Sequence, residues 1–91
     1  MKCVISVLGR DRTGIVAAVA TVLTECSANI EDIDQTVLGD NEFFGMTMLA
    51  TLDPDACGFD EVRRRLLETG ENLGMQITIQ REDVFRFMHE I

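Results

Sequence analysis

Lys2, Cys3, Val4, Ile5, Ser6, Val7 and Leu8 run directly into Gly9, Arg10, Asp11, Arg12, Thr13 and Gly14, and Ile15 and Val16 open the next apolar stretch. The first run is apolar, rich in Val and Ile and too short for a typical helix, so it predicts a strand over 2–8, buried on both faces. After the glycine-bounded turn, Ile15, Val19, Val22, Leu23 and Cys26 recur at helical spacing. They predict a helix from Thr13 or Gly14, with Asp11 or Thr13 as its N-cap. A strand, a tight turn and a helix are therefore the first unit of the fold.

Reading outward, 29–38 mixes Ile30, Ile33 and Val37 with Glu31, Asp32 and Asp34, the pattern of a charged edge strand that resists further pairing. Gly39, Asp40 and Asn41 supply turn chemistry. Residues 42–52 then place Phe44, Met46, Met48, Ala50 and Leu52 on one face of a third segment, giving a hairpin. Asp53, Pro54 and Asp55 break that strand. Phe59, Val62, Leu66 and Leu73 form a helical stripe closed by Gly74 at a C′ position. Met75, Ile77 and Ile79 alternate with Gln76, Thr78 and Gln80, as in a strand with one wet face.

The order β-α-β-β-α-β, with right-handed crossovers, puts both helices on one side of the sheet. The expected fold is an α+β ferredoxin-like βαββαβ sandwich with a four-stranded antiparallel sheet in the order 4-1-3-2. Val84, Phe87 or Met88, and Ile91 fall on one side of residues 82–91, predicting a short C-terminal helix. A helix so short is marginal alone and needs a docking surface. The bare sheet face and a second subunit are the two candidates, the second being the working expectation.

Ninety-one residues suit one domain spanning 1–91, with 82–91 as its tail. A core this small gains from a subunit interface, so a homodimer is expected. Sixteen acidic against eight basic residues give a net charge of -8, which repels nucleic-acid backbones and anionic membrane surfaces. Neither partner is expected. Cys3, Cys26 and Cys57 are odd in number, widely spaced and without a C-x-x-C pair. That pattern argues against a disulfide framework and against zinc, and fits a reducing cytoplasm. No apolar run approaches the length of a membrane span, and the strand-like start does not resemble a signal peptide.

Several chemistries lack their residues. Gly9 and Gly14 have phosphate-loop spacing, but Ile15 and Val16 stand where Lys and Ser or Thr would be required. The first loop has no thiolate pair for copper transfer. Phe43 and Phe44 lack the basic surroundings of an RNA-binding sheet. His89, the one histidine, has no second nitrogen or thiolate ligand near it in sequence and reads as a solvated or interface residue. Glu31, Asp32 and Asp34 read as edge protection rather than a cation site. Arg63, Arg64 and Arg65 read as the wet face of the second helix. No catalytic residue, metal or cofactor is expected.

The turn remains the best candidate site. Gly14 leaves the first backbone N–H groups of the helix open, and those groups carry partial positive charge suited to a small carboxylate. Equally, Asp11 could merely cap the helix while Gly9 and Gly14 permit tight geometry.

The run from Val7 through Gly9, Arg10, Asp11, Arg12, Thr13, Gly14, Ile15 and Val16, followed by Asn29, Ile30, Glu31, Asp32 and Ile33, resembles the ACT domain. In that family Asp-Arg-x-Gly opens the first helix and Asn-Ile opens the second strand. The Glu-Asp-Val-Phe-x-x-Met-His tail is similar to that of small bacterial proteins consisting of one ACT domain. Thr13 departs from the proline often found before this glycine. The resemblance implies a small-molecule ligand, an amino acid or similar metabolite, held by Asp11, Arg12, Thr13, Gly14, Ile15, Val16, Asn29 and Ile30. It implies that Asn29 offers its amide from a neighbouring or partner subunit, so that the site lies between two copies. It further implies a regulatory role exerted in trans on a protein partner. An adaptor without a ligand, resembling the repressor of the glycine cleavage system, is the alternative.

Overall fold

The computed structural model describes residues 1–40 and 42–89, and the side chains of all of these except Leu38, Phe85, Phe87, Met88 and His89. The elements follow in the order β1 (Lys2–Arg10), α1 (Ile15–Glu25), β2 (Asn29–Leu38), β3 (Phe43–Thr51), α2 (Phe59–Leu73), β4 (Met75–Arg81) and α3 (Glu82–His89). The sheet order is β2-β3-β1-β4 and every neighbouring pair is antiparallel. This is the expected ferredoxin-like arrangement.

Alternation decides which face each strand buries. Cys3, Ile5 and Val7 of β1, Phe44, Met46, Met48 and Ala50 of β3, and Met75, Ile77 and Ile79 of β4 all turn inward. Ile15, Val19, Val22 and Leu23 of α1 and Val62 and Leu66 of α2 meet them to form one core. Ile5, Leu23, Met48 and Leu66 are the largest wholly enclosed side chains. Burying each contributes on the order of 1.5–3 kcal/mol over leaving it in water.

Four expectations are corrected. First, β1 runs two residues beyond Leu8, because Gly9 and Arg10 pair with Phe44 and Phe43 at the start of β3. Second, β1 is not buried on both faces: on the outer face Val4 is covered, Ser6 is half-buried and Leu8 is 55% exposed. Helices cover only the other side of the sheet at Leu8. Third, neither Asp11 nor Thr13 caps α1. Gly14 occupies that position at φ 90°, with no side-chain cap hydrogen bond. The chain turns into the helix through a left-handed residue, a conformation that costs L side chains about 1–2 kcal/mol. Fourth, β3 starts at Phe43 and ends at Thr51, one residue inside the expected span at each end.

β2 has a register shift between Ile30 and Asp32 that the alternation did not reveal. The Asp32 carboxylate accepts a hydrogen bond from the Ile33 N–H at 3.0 Å, and Thr51 donates to Glu31 at 2.6 Å. Bulge and carboxylates together blunt this edge. In the hairpin turn Gly39 and Asp40 are both left-handed, and the Glu42 N–H donates to the Gly39 carbonyl at 3.1 Å. Asn41, expected in this turn, lies outside the described residues.

α2 ends at Gly74, left-handed at φ 69°, as its sequence indicated. Within it, Gly70 serves contact rather than conformation. A Cβ there would lie 2.7 Å from the Met75 carbonyl oxygen and 3.2 Å from Ile77 Cγ1. The helix can therefore lie close against β4. α3 follows β4 directly and touches β1 and β4 among the described residues. Of its expected apolar side, Val84 is 45% exposed; Ile91 lies outside the described residues, as do the side chains of Phe87, Met88 and His89.

Candidate functional site

The β1–α1 turn is built by three tethers. The Asp11 N–H donates to the Glu42 carbonyl at 2.9 Å, prolonging the β1–β3 pairing past the strand end. Arg12 Nη1 donates to the Leu73 carbonyl at 3.1 Å, where α2 gives way to Gly74. A cation at the end of a helix interacts favourably with the partial negative charge of its last carbonyls. The third tether is Ile15, 2% exposed in the core. Asp11, Arg12, Thr13 and Gly14 between these anchors are exposed, and Val16 is half-buried.

The first turn of α1 carries no acidic residue and no side-chain cap. Its leading N–H groups therefore open onto the exposed Gly14, with no carboxylate of their own helix to offset their charge. A Cβ built on Gly14 meets nothing within 4 Å. The approach is open. Ile15 offers this site its backbone alone, and Arg12 is already engaged by Leu73.

Gly9 belongs to packing. A Cβ there would lie 2.6 Å from Met75 Sδ, so the glycine makes room for the first residue of β4.

Asn29 and Ile30 are not part of the same surface. Asn29 pairs with Thr51, and Thr51 pairs with Lys2. Leu38, at the other end of β2, pairs with Phe43, which pairs with Arg10. Asn29 thus sits at the Lys2 end of the sheet and Gly14 beyond the Arg10 end. At about 3.3 Å per residue along β1 they are roughly 25 Å apart. Asn29 is exposed and Ile30 half-buried against the core. One chain joins Asp11 to Val16 in a single turn and leaves Asn29 and Ile30 at the opposite pole.

The clefts described among these residues lie elsewhere. The roomiest described, about 390 Å³, is lined by Met1, Lys2, Arg81, Glu82, Asp83 and Arg86. Its arginines already face Asp83 at 3.0 Å and Glu82 at 2.7 Å. Arg64 and Arg65 likewise converge on Glu61. The two Arg64 hydrogen bonds, then the one from Arg65, hold the Glu61 carboxyl down at about 2. Of the basic groups singled out by sequence, Arg12, Arg64 and Arg65 are thus committed to carbonyl or carboxylate partners. Among the described residues no three His, Cys, Asp or Glu side chains gather to hold a metal ion, and no helix is long and apolar enough to cross a membrane.

Sequence reasoning missed Glu42 and Leu73 as supports of the turn. Both act through backbone carbonyls, which carry no residue-specific signal.

Comparison with known proteins gives a consistent family. The ACT domain model matches residues 2–80. A UPF0237 protein of Methanocaldococcus jannaschii is 46% identical over 90 residues, covering 99% of this chain and 98% of that one. Among solved structures, an ACT domain protein from Streptococcus pneumoniae superposes with a TM-score of 0.79 at 38% identity, covering 93% of each chain. A putative glycine cleavage system transcriptional repressor is similar with a TM-score of 0.76 at 25% identity, covering 87% of this chain and 44% of that one.

Proposed function

We propose, from the premise that this chain belongs to the ACT domain family and is a UPF0237 protein, that it is a regulatory homodimer binding a small carboxylate-bearing metabolite, an amino acid, between its subunits. The uncapped first turn of α1 behind the exposed Gly14 is the observation that carries the reading. Backbone N–H groups there would receive the carboxylate, with residues Asp11 to Val16 forming the rim.

The separation of Asn29 from that turn supports a site made by two copies. A two-fold axis that runs the α1–β2 flank antiparallel to itself would carry Asn29 of one copy to the Gly14 end of the other. Ile33 and Val37, on the helix side of β2, are 43% and 42% exposed and would supply apolar area on that flank. Ligand held across the seam would favour one subunit arrangement by its differential affinity. A partner protein reading that arrangement would receive the signal in trans.

Calorimetry against the twenty amino acids tests this directly, with sedimentation to establish the oligomer. Binding heat from at least one of them, reduced at least tenfold by Asn29→Ala in a variant that remains dimeric, is the expected result. A folded dimer giving no heat with any of them overturns it.

A second reading rests on a specific observation. Arg12 and Gly14 are each explained by the fold, one by the Leu73 carbonyl and the other by φ 90°. On that reading the chain is a ligand-free dimeric adaptor. Gly14→Asn separates the two, because asparagine tolerates left-handed backbone while placing a side chain over the N–H groups. The adaptor keeps its partner capture in this variant, whereas the sensor loses its metabolite response.

A further inference from the structure

Cys26 and Cys57 are far apart in sequence and adjacent in the fold. Cys26 is the C-cap residue of α1 and 1% exposed. Cys57 ends the turn before α2, where its N–H donates to the Asp53 carbonyl at 3.1 Å, and its half-buried side chain packs against the core. Cys57 acts directly on the Cys26 thiol, which places the two side chains beside each other at the junction of the α1 end with the approach to α2. Arg65 of α2, 3.8 Å from Glu25, lies within electrostatic range of both sulfurs.

We propose that Cys26 and Cys57 form a reversible intramolecular disulfide by exchange with the disulfide of a low-molecular-weight thiol. Cys57, the more accessible, attacks first as its thiolate: its sulfur bonds to one sulfur of the small disulfide and the other leaves as a thiolate that takes up a proton. Cys26 then gives its proton to solvent, bonds to the Cys57 sulfur and expels the second small thiol. Two protein S–H bonds and one S–S bond are thereby exchanged for one protein S–S bond and two small thiols, a transfer of two electrons. Burial, reinforced by the neighbouring Cys57, pushes the Cys26 thiol up to about 11. That assigns Cys57 the opening attack and makes closure by Cys26 the slow step. The bond would tie the end of α1 to the approach of α2 and enclose β2 and β3 in its loop.

The full-length protein, incubated with oxidised and reduced glutathione at graded ratios, provides the test. Free thiols are counted by alkylation and intact mass. Trypsin leaves both cysteines in the one peptide 13–63, so a glutamyl endopeptidase is used to release 26–31 and 43–61 separately. We expect two of the three thiols to be lost, a disulfide-linked 26–31/43–61 pair, and full recovery with dithiothreitol. Cys3→Ser should behave as wild type, and the melting temperature should rise by several degrees on oxidation. Retention of all three thiols at the most oxidising ratio overturns the proposal. So does a lasting glutathione adduct on Cys57 beside a free Cys26 thiol, or linkage between two chains only.

Discussion

The two strand-to-helix crossings occupy equivalent places in the two halves of the fold and end differently. α2 starts from Gly58 in extended backbone at φ -67°, and its first turn carries Asp60 and Glu61. α1 starts from Gly14 in left-handed backbone at φ 90°, and its first turn carries no acid. Helix N-termini attract negative charge, so α2 supplies its own and α1 leaves that role open. Position in the topology does not decide whether a helix mouth is compensated; the residues immediately after the cap do.

Both helices are anchored in the one core and differ at their mouths. Leu23 of α1 and Leu66 of α2 are both fully buried. Truncating either to Ala should cost about 2–5 kcal/mol in denaturant unfolding, with similar losses in the two halves. A much smaller loss for Leu23→Ala would show that α1 is the loosely held half. Next in size is Gly70→Ala, which places Cβ 2.7 Å from the Met75 carbonyl oxygen. About 1–3 kcal/mol of destabilisation is expected from this overpacking. Gly9→Ala should cost less, because its nearest obstacle is the flexible end of Met75.

Copying the α2 mouth onto α1 sharpens the contrast further. Ala17 is exposed at the position matching Glu61. Ala17→Glu should stabilise the protein by about 0.3–1 kcal/mol through the helix dipole. The same change should weaken metabolite binding at least tenfold, measured by calorimetry beside a thermal melt. Unchanged binding would detach the ligand from this turn.

The smallest effect concerns acid. Glu61 is held at about 2 by hydrogen bonds from Arg64 and Arg65, below the ordinary carboxylate value of 4.5. A depressed folded value means its contribution is present above pH 4.5 and is lost as pH falls toward 2. Carbon-detected titration should place its midpoint near 2, and Arg64→Ala should raise it. Because the group is exposed, added salt should shrink the shift.

Much of the architecture was legible because it is written locally. The alternation of Met75, Ile77 and Ile79, the stripe through Val62 and Leu66, and the charges of β2 each report one element's exposure within a few residues of chain. The N-cap of α1 was misread for the same reason. Asp11 and Thr13 have capping chemistry, but Asp11 is drawn to Glu42 by strand pairing, so the chain enters the helix through Gly14.

By itself the sequence determined the order of elements, the buried faces of β3, β4 and the two long helices, the edge strands and the family, since periodicity and motif spacing are properties of neighbouring residues. Tertiary structure alone decided that Arg12 reaches Leu73, that Cys26 meets Cys57 and that Asn29 stands at the opposite pole from Gly14. Those relations join residues far apart along the chain. They exist only once strand register and helix packing have set the distances, and no local pattern encodes them.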